Sequence, residues 1–245
     1  MRKNYLIVGA SSGIGKELMI KLSSLDDVCV IGCARRIDKL EELKKSLPSS
    51  SIVLECDVCD NDSIAKVFKC LYEKDIKLDG MIYCAGEWYV KPLKIMKSSE
   101  IEHMFKVNVF GFYEFCRLFQ KKSHCNDKSV IVGISSYASV TCEAGTSAYS
   151  MSKAAMNTQA AVLSKELLKR GIRINTIMPA IVKSRMGKES NDWTDDQIKD
   201  VSDRQPLGII TKDTVVNTVL FLLSDDGAYI TGQAIPINAG YIPCG

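Results

Sequence analysis

Tyr5-Leu6-Ile7-Val8-Gly9-Ala10-Ser11-Ser12-Gly13-Ile14-Gly15 is the stretch that decides the fold. Four apolar residues read as a strand. Three spaced glycines follow, and then an apolar stripe at Ile14, Leu18, Leu22 and Leu25 has the spacing of a helix. A strand that enters a helix through a glycine-rich turn makes a cradle for a phosphate-bearing cofactor, because backbone N–H groups and the positive end of the helix face the ligand there. The spacing is G-x-x-x-G-x-G rather than G-x-G-x-x-G. Gly9 allows the tight turn, Gly13 lets the backbone approach a pyrophosphate, and Gly15 lets the helix pack close to the sheet. Ser11, Ser12 and Ile14 complete the loop.

Outward from this loop, strand-like and helix-like segments alternate. Strands are expected at 28–34, 52–55, 81–83, 129–134, 173–178 and 233–238, and helices at 37–47, 63–72, 100–122, 148–170 and 211–223. Pro48, Gly171 and Pro179 stop three of these segments. The strands are unbroken apolar runs, as parallel strands covered on both faces are. Such βαβ repetition implies an α/β fold, a Rossmann-type doubly wound parallel sheet with helices on both faces, in one domain over residues 1–245. Residues 181–207 interrupt the alternation at the carboxyl end of a strand, where a substrate lid would sit.

Composition narrows the class. A net charge of +3 is too small to argue for a nucleic-acid or membrane surface, and no run reaches the roughly 18 apolar residues of a membrane span. No signal-peptide pattern precedes the first strand, so a cytoplasmic protein is expected. The ten cysteines are scattered, several in apolar runs, which fits free thiols in a reducing compartment. Cys56-Asp-Val-Cys59 has metal or redox spacing but no second pair, and with only two histidines in the chain no metal is expected.

The second strand would end in an acid if it bound the ribose hydroxyls of NAD. Here it ends in Cys33-Ala34-Arg35-Arg36, and no acid follows until Asp38. Arginine accepts a 2′-phosphate instead, and two cations at a helix start oppose its dipole, so NADP(H) is favoured over NAD(H). Tyr149 and Lys153 lie one helical turn apart, and a cation at that distance favours a phenolate. Thirteen residues before Tyr149, a strand ends at Ser135-Ser136, where a hydroxyl points into the crevice that ligands occupy.

With these residues the chain resembles the short-chain dehydrogenase/reductase family from Gly9 to Asn238, its 3-oxoacyl-[acyl carrier protein] reductase-like members and their sugar- or alcohol-specific relatives in general likeness. The family's glycine motif matches Gly9, Gly13 and Gly15, and its adenine-contacting pair matches Asp57-Val58. Its fourth-strand motif matches Cys84-Ala85-Gly86, and its nicotinamide-side segment matches Pro179-Ala180-Ile-Val182-Lys-Ser184. Its catalytic set matches Asn108, Ser136, Tyr149 and Lys153. The resemblance implies an NADP(H)-dependent interconversion of a ketone and a secondary alcohol. Tyr149 would be the general acid/base and Ser136 would bond the substrate oxygen. Lys153 would lower the Tyr149 pKa and hold the nicotinamide ribose, and Asn108 would hold a water. It also implies a homotetramer or homodimer, with Phe105, Phe110, Phe112, Phe115 and Phe119 more than one helix face needs. Three departures stand out: Val8 for Thr, Cys84 for Asn and Ala180 for Gly. A nucleotide-binding sensor or scaffold on the same fold is the alternative, and it has no need of the full Asn/Ser/Tyr/Lys set. Residues expected near the substrate are Glu87, Trp88, Tyr89, those at 137–142, Met186 and Trp193.

Overall fold

The computed structural model describes residues 2–183 and 194–242. Ser184, Met186, Trp193 and much of the expected lid lie outside the described residues. The strands are β1 (Lys3–Val8), β2 (Val28–Ala34), β3 (Ile52–Glu55), β4 (Leu78–Tyr83), β5 (Cys125–Ile134), β6 (Arg173–Pro179) and β7 (Ala234–Ile237). They form one sheet in the order β3-β2-β1-β4-β5-β6-β7, every pairing parallel. The order reverses between β1 and β4, so a crevice opens at their carboxyl ends.

The helices are α1 (Gly13–Ser23), α2 (Ile37–Lys44), α3 (Asn61–Glu73), α4 (Ser98–Phe105), α5 (Gly111–Phe119), α6 (Ala138–Thr141), α7 (Ser147–Leu167), α8 (Asp195–Arg204) and α9 (Lys212–Leu223). Leu18, Met19 and Leu22 of α1, Leu40 of α2 and Val215 and Val219 of α9 are buried on one face of the sheet. Phe68 of α3, Phe112 and Phe115 of α5 and Met156 of α7 are buried on the other. This double covering explains the continuous apolar strands. None of the described helices is long and apolar enough to cross a membrane.

Several boundaries shift from the expected ones for local reasons. Asp60 caps α3, its carboxylate accepting from the Asp62 N–H at 3.0 Å, so this helix starts before residue 63. The helix expected at 148–170 is α7 followed by a 3₁₀ turn, Leu168–Arg170, and it ends at Gly171 with φ +68°. The long helix expected at 100–122 is the largest difference. It is α4 and α5 joined through a π-helical turn, Lys106–Phe110. The wider turn buries three consecutive residues, Val107, Asn108 and Val109. The phenylalanines also divide differently. Phe112, Phe115 and Phe119 follow a single helical stripe and are fully buried, while Phe110 is 59% exposed.

Candidate active site

The glycine loop is shaped by close contact. The Gly9 N–H donates to Cys33 O at 2.8 Å, tying the loop to the end of β2. Gly9 has φ +84°, and a Cβ there would stand 2.6 Å from the Ala85 nitrogen, so the ends of β1 and β4 meet only over a glycine. A Cβ on Gly15 would stand 2.4 Å from Gly9 O, which is the close helix-to-loop packing the spacing implied. Around Gly13 the outer side is open, with nothing within 4 Å of an added Cβ. Ser12, the N-cap of α1, makes no side-chain capping bond, so its side chain leaves the N-terminal N–H groups to a ligand. This cradle fits a dinucleotide pyrophosphate.

Arg36 folds back over the loop, its Nη2 donating to Ser11 Oγ at 3.0 Å and Ser12 Oγ at 2.8 Å. Arg35 is exposed and lines a cleft with Glu55, Asp57, Asp60, Ser63 and Lys66. Among the described residues it makes no ion pair. Asp57 is used locally: its Oδ1 accepts from the Cys59 N–H at 2.9 Å, and Val58 behind it is buried. Cys33 and Cys56 are both fully buried, and no group of three or more potential metal ligands occurs among the described residues.

On the other side of the crevice, α7 brings Tyr149 and Lys153 to the end of β5. Tyr149 is 6% and Lys153 3% exposed. Lys153 Nζ donates to Ile134 O at 2.8 Å and lies 5.9 Å from the Tyr149 ring centroid. Burial pushes the ammonium down to about 8, because the charged form is poorly solvated. The Tyr149 phenol is pushed up by the same burial, and the nearby Ser136 hydroxyl acts in the opposite direction. The net direction for the phenol is thus upward, set by burial and opposed by the Ser136 hydroxyl. Ser136 Oγ accepts from the Ala138 N–H at 3.2 Å. Cys84 faces Lys153 as a neutral thiol, pushed up to about 12 by burial, and its N–H donates to Val8 O at 2.8 Å. Val8 and Cys84 thus replace the Thr and the Asn of the family pattern on adjacent strand ends, which leaves no orphaned hydroxyl or amide.

Asn108 is fully buried on the π-turn. Its Oδ1 accepts from the Glu87 N–H at 2.9 Å, and its Nδ2 donates to Glu87 O at 3.0 Å and Ser152 Oγ at 2.9 Å. It therefore ties the segment after Gly86 to the helix turn that carries Lys153. The Glu87 carboxylate turns toward His103, 3.3 Å from its Nε2, in ion-pair range but outside hydrogen-bond geometry.

After β6, Pro179 O accepts from the Tyr137 N–H at 2.9 Å, and the Ala180 N–H donates to Ile237 O at 2.9 Å. Val182 bridges to Ile210. Gln205, fully buried and not apparent from sequence, braces this segment by accepting from the Ile181 N–H at 2.7 Å and donating to Ile181 O at 3.2 Å. At the far wall Arg204 of α8 pairs with Glu143 at 2.6 Å and lies 4.8 Å from the centroid of Tyr241, whose hydroxyl also donates to Glu143.

Known proteins resemble this chain in sequence and in fold. A family model described as enoyl-(acyl carrier protein) reductase matches residues 9–242. An L-xylulose reductase of Caenorhabditis elegans is 33% identical over 98% of this chain and 95% of its own length. The 3-oxoacyl-[acyl-carrier-protein] reductase FabG of Buchnera aphidicola subsp. Schizaphis graminum is 30% identical over 98% and 97%. A short-chain dehydrogenase family structure from Francisella tularensis superposes with a TM-score of 0.85 at 24% identity, covering 98% of this chain and 99% of that one, which is a likeness of fold. The chain belongs to the short-chain dehydrogenase/reductase family of NAD(P)-dependent oxidoreductases.

Proposed function

We propose that the chain interconverts a ketone and a secondary alcohol with NADP(H), with Tyr149 as general acid/base. One observation carries this reading: the Tyr149 phenol, the Ser136 hydroxyl and the Lys153 ammonium converge at the carboxyl end of β5, where Tyr149 and Lys153 are nearly sealed from water. The nicotinamide, when bound, supplies or receives the hydride. Tyr149 gives the proton to the ketone oxygen in reduction and takes it back in oxidation. A phenol raised by burial keeps its proton through neutral pH, which suits the donor role. Ser136 donates a hydrogen bond to the same oxygen as negative charge develops. Lys153 is placed to hold the nicotinamide ribose and to stabilise a phenolate once the proton has left. Asn108 holds the floor beneath it through Ser152.

Arg35 is the residue best placed for a 2′-phosphate, being exposed at the end of β2 and without an ion pair among the described residues. The names of two relatives make a keto-sugar and an acyl thioester the first substrates to test. The stretch 185–204 holds four basic and six acidic residues, and this charge favours a neutral ketone over a highly phosphorylated or acyl-carrier-borne one. The apolar residues left outside, Phe110 and Tyr113 near α5 and Met151 and Val162 on α7, support a homotetramer or homodimer. Phe110→Glu should lower the mass seen by light scattering, and a parent that is monomeric at micromolar concentration refutes the assembly.

Tyr149→Phe tests the chemistry. Turnover should fall about 10²–10⁴-fold, the range of general acid catalysis, while NADPH affinity stays within about twofold. A variant that keeps more than about a tenth of parental turnover removes Tyr149 from the role of proton donor.

A further inference from the structure

Asn157 continues the face of α7 that carries Tyr149 and Lys153, one further turn along the helix. It is a polar residue facing inward, and each polar atom of its amide is engaged. Thr176 of β6, itself fully buried, donates its hydroxyl to Asn157 Oδ1 at 2.8 Å. Asn157 Nδ2 donates to Ser139 Oγ at 3.0 Å and touches Met178 Sδ at 3.3 Å. The Ser139 hydroxyl donates in turn to Ser136 O at 2.7 Å. A continuous chain of hydrogen bonds thus runs from the sheet, through α7, to the backbone of Ser136.

We propose that Asn157 is a positioning residue for Ser136, acting through Ser139. The inference rests on the assignment of Ser136 as the group that bonds the substrate oxygen. A hydroxyl carries one proton. Because Asn157 supplies an N–H to Ser139 Oγ, the Ser139 proton is left for an acceptor, and Ser136 O at 2.7 Å is nearer and stronger than Met178 Sδ at 3.3 Å. That bond holds the first turn after β5, where Ser136 Oγ also accepts the Ala138 N–H. An aspartate at 157 has nearly the same shape but only acceptors. It would draw the Ser139 proton to itself and leave Ser136 O with the Ser139 backbone N–H alone, at 3.1 Å.

The test is a double-mutant cycle in the full-length protein, read by ketone reduction, NADPH fluorescence titration and thermal unfolding. Asn157→Asp and Asn157→Ala should each lower kcat about tenfold, with KM for NADPH and its binding changed less than twofold. In a Ser136→Ala background the same changes should alter the residual kcat less than twofold, because the group they position is gone. Ser139→Ala should behave as Asn157→Ala does. Equal losses in both backgrounds would show that Asn157 acts on the fold or on Lys153, and would overturn the proposal. If a 157 variant unfolds, Ser139→Ala alone carries the cycle. A Ser136→Ala protein with parental kcat refutes the role of Ser136 and the proposal with it, and it is told apart from failure at Asn157 by the single variant.

Discussion

At the β2 end of the crevice the chain places two cations in solvent; at the β5 end it buries one. Arg35 and Arg36 are exposed, whereas Lys153 is 3% exposed. An exposed guanidinium keeps most of its hydration, so it adds little cost to folding and acts through whichever anion reaches it. A buried ammonium gives up its water, and its charge becomes conditional on its surroundings. The first arrangement selects a ligand, and the second sets the state of a reacting group.

The sharpest way to break this contrast is Lys153→Met. Turnover should fall at least about 10²-fold. Stability should reveal the buried charge. The folded pKa of about 8 lies below the ordinary 10.5, so between these values the unfolded chain binds more protons and parental stability rises with pH. The contribution is fully present above 10.5 and is lost as pH falls through about 8. Unfolding curves of parent and variant compared at matched pH cancel the titration of other groups. Their difference should move toward the parent by about 3 kcal/mol across that window, on the order of the shift itself. A flat difference would mean that Lys153 is not desolvated.

Arg35→Ala comes next. It should weaken NADPH by about 1.5–3 kcal/mol, the worth of a hydrogen bond to a charged group, and leave NADH nearly unchanged. Equal weakening of both, in fluorescence titrations, would sink the 2′-phosphate assignment. Arg36→Ala should act differently, because its guanidinium is spent on Ser11 and Ser12. It should weaken NADPH and NADH alike, by about 1 kcal/mol, through a looser loop. The smallest effect is a control away from the crevice. Lys69 pairs with Glu73 on the surface of α3, and Lys69→Ala should change unfolding free energy by less than about 1 kcal/mol and cofactor binding not at all.

Much of this contrast was legible in the sequence, and the exceptions are physical. The β2 and β3 limits, the glycine loop and the Tyr149–Lys153 face all follow from short-range rules: apolar runs, glycine spacing and the helical period. The direction of the Tyr149 shift did not follow, because the depth of burial that sets it is not visible in a sequence. Asn157 and Gln205 escaped for a related reason. A polar side chain in a helical pattern reads as solvated surface unless its partners, distant in the chain, are known.

The turn at Lys106–Phe110 escaped because one residue of slack does not disturb an apolar pattern enough to be seen. Its consequence is one of phase. Each residue advances an α-helix by about 100°, so an extra residue in one turn rotates everything beyond it by roughly that angle. The stretch before the turn directs Met104 to the cluster around Ala148 and Tyr149, and the stretch after it directs Phe112, Phe115 and Phe119 to the core beneath the sheet. A single rod thereby addresses two cores. The spacing is a frame, as in reading a code. Deleting one residue there would leave every side chain chemically intact and send half of them to the wrong address, a greater injury than any one substitution along the rod.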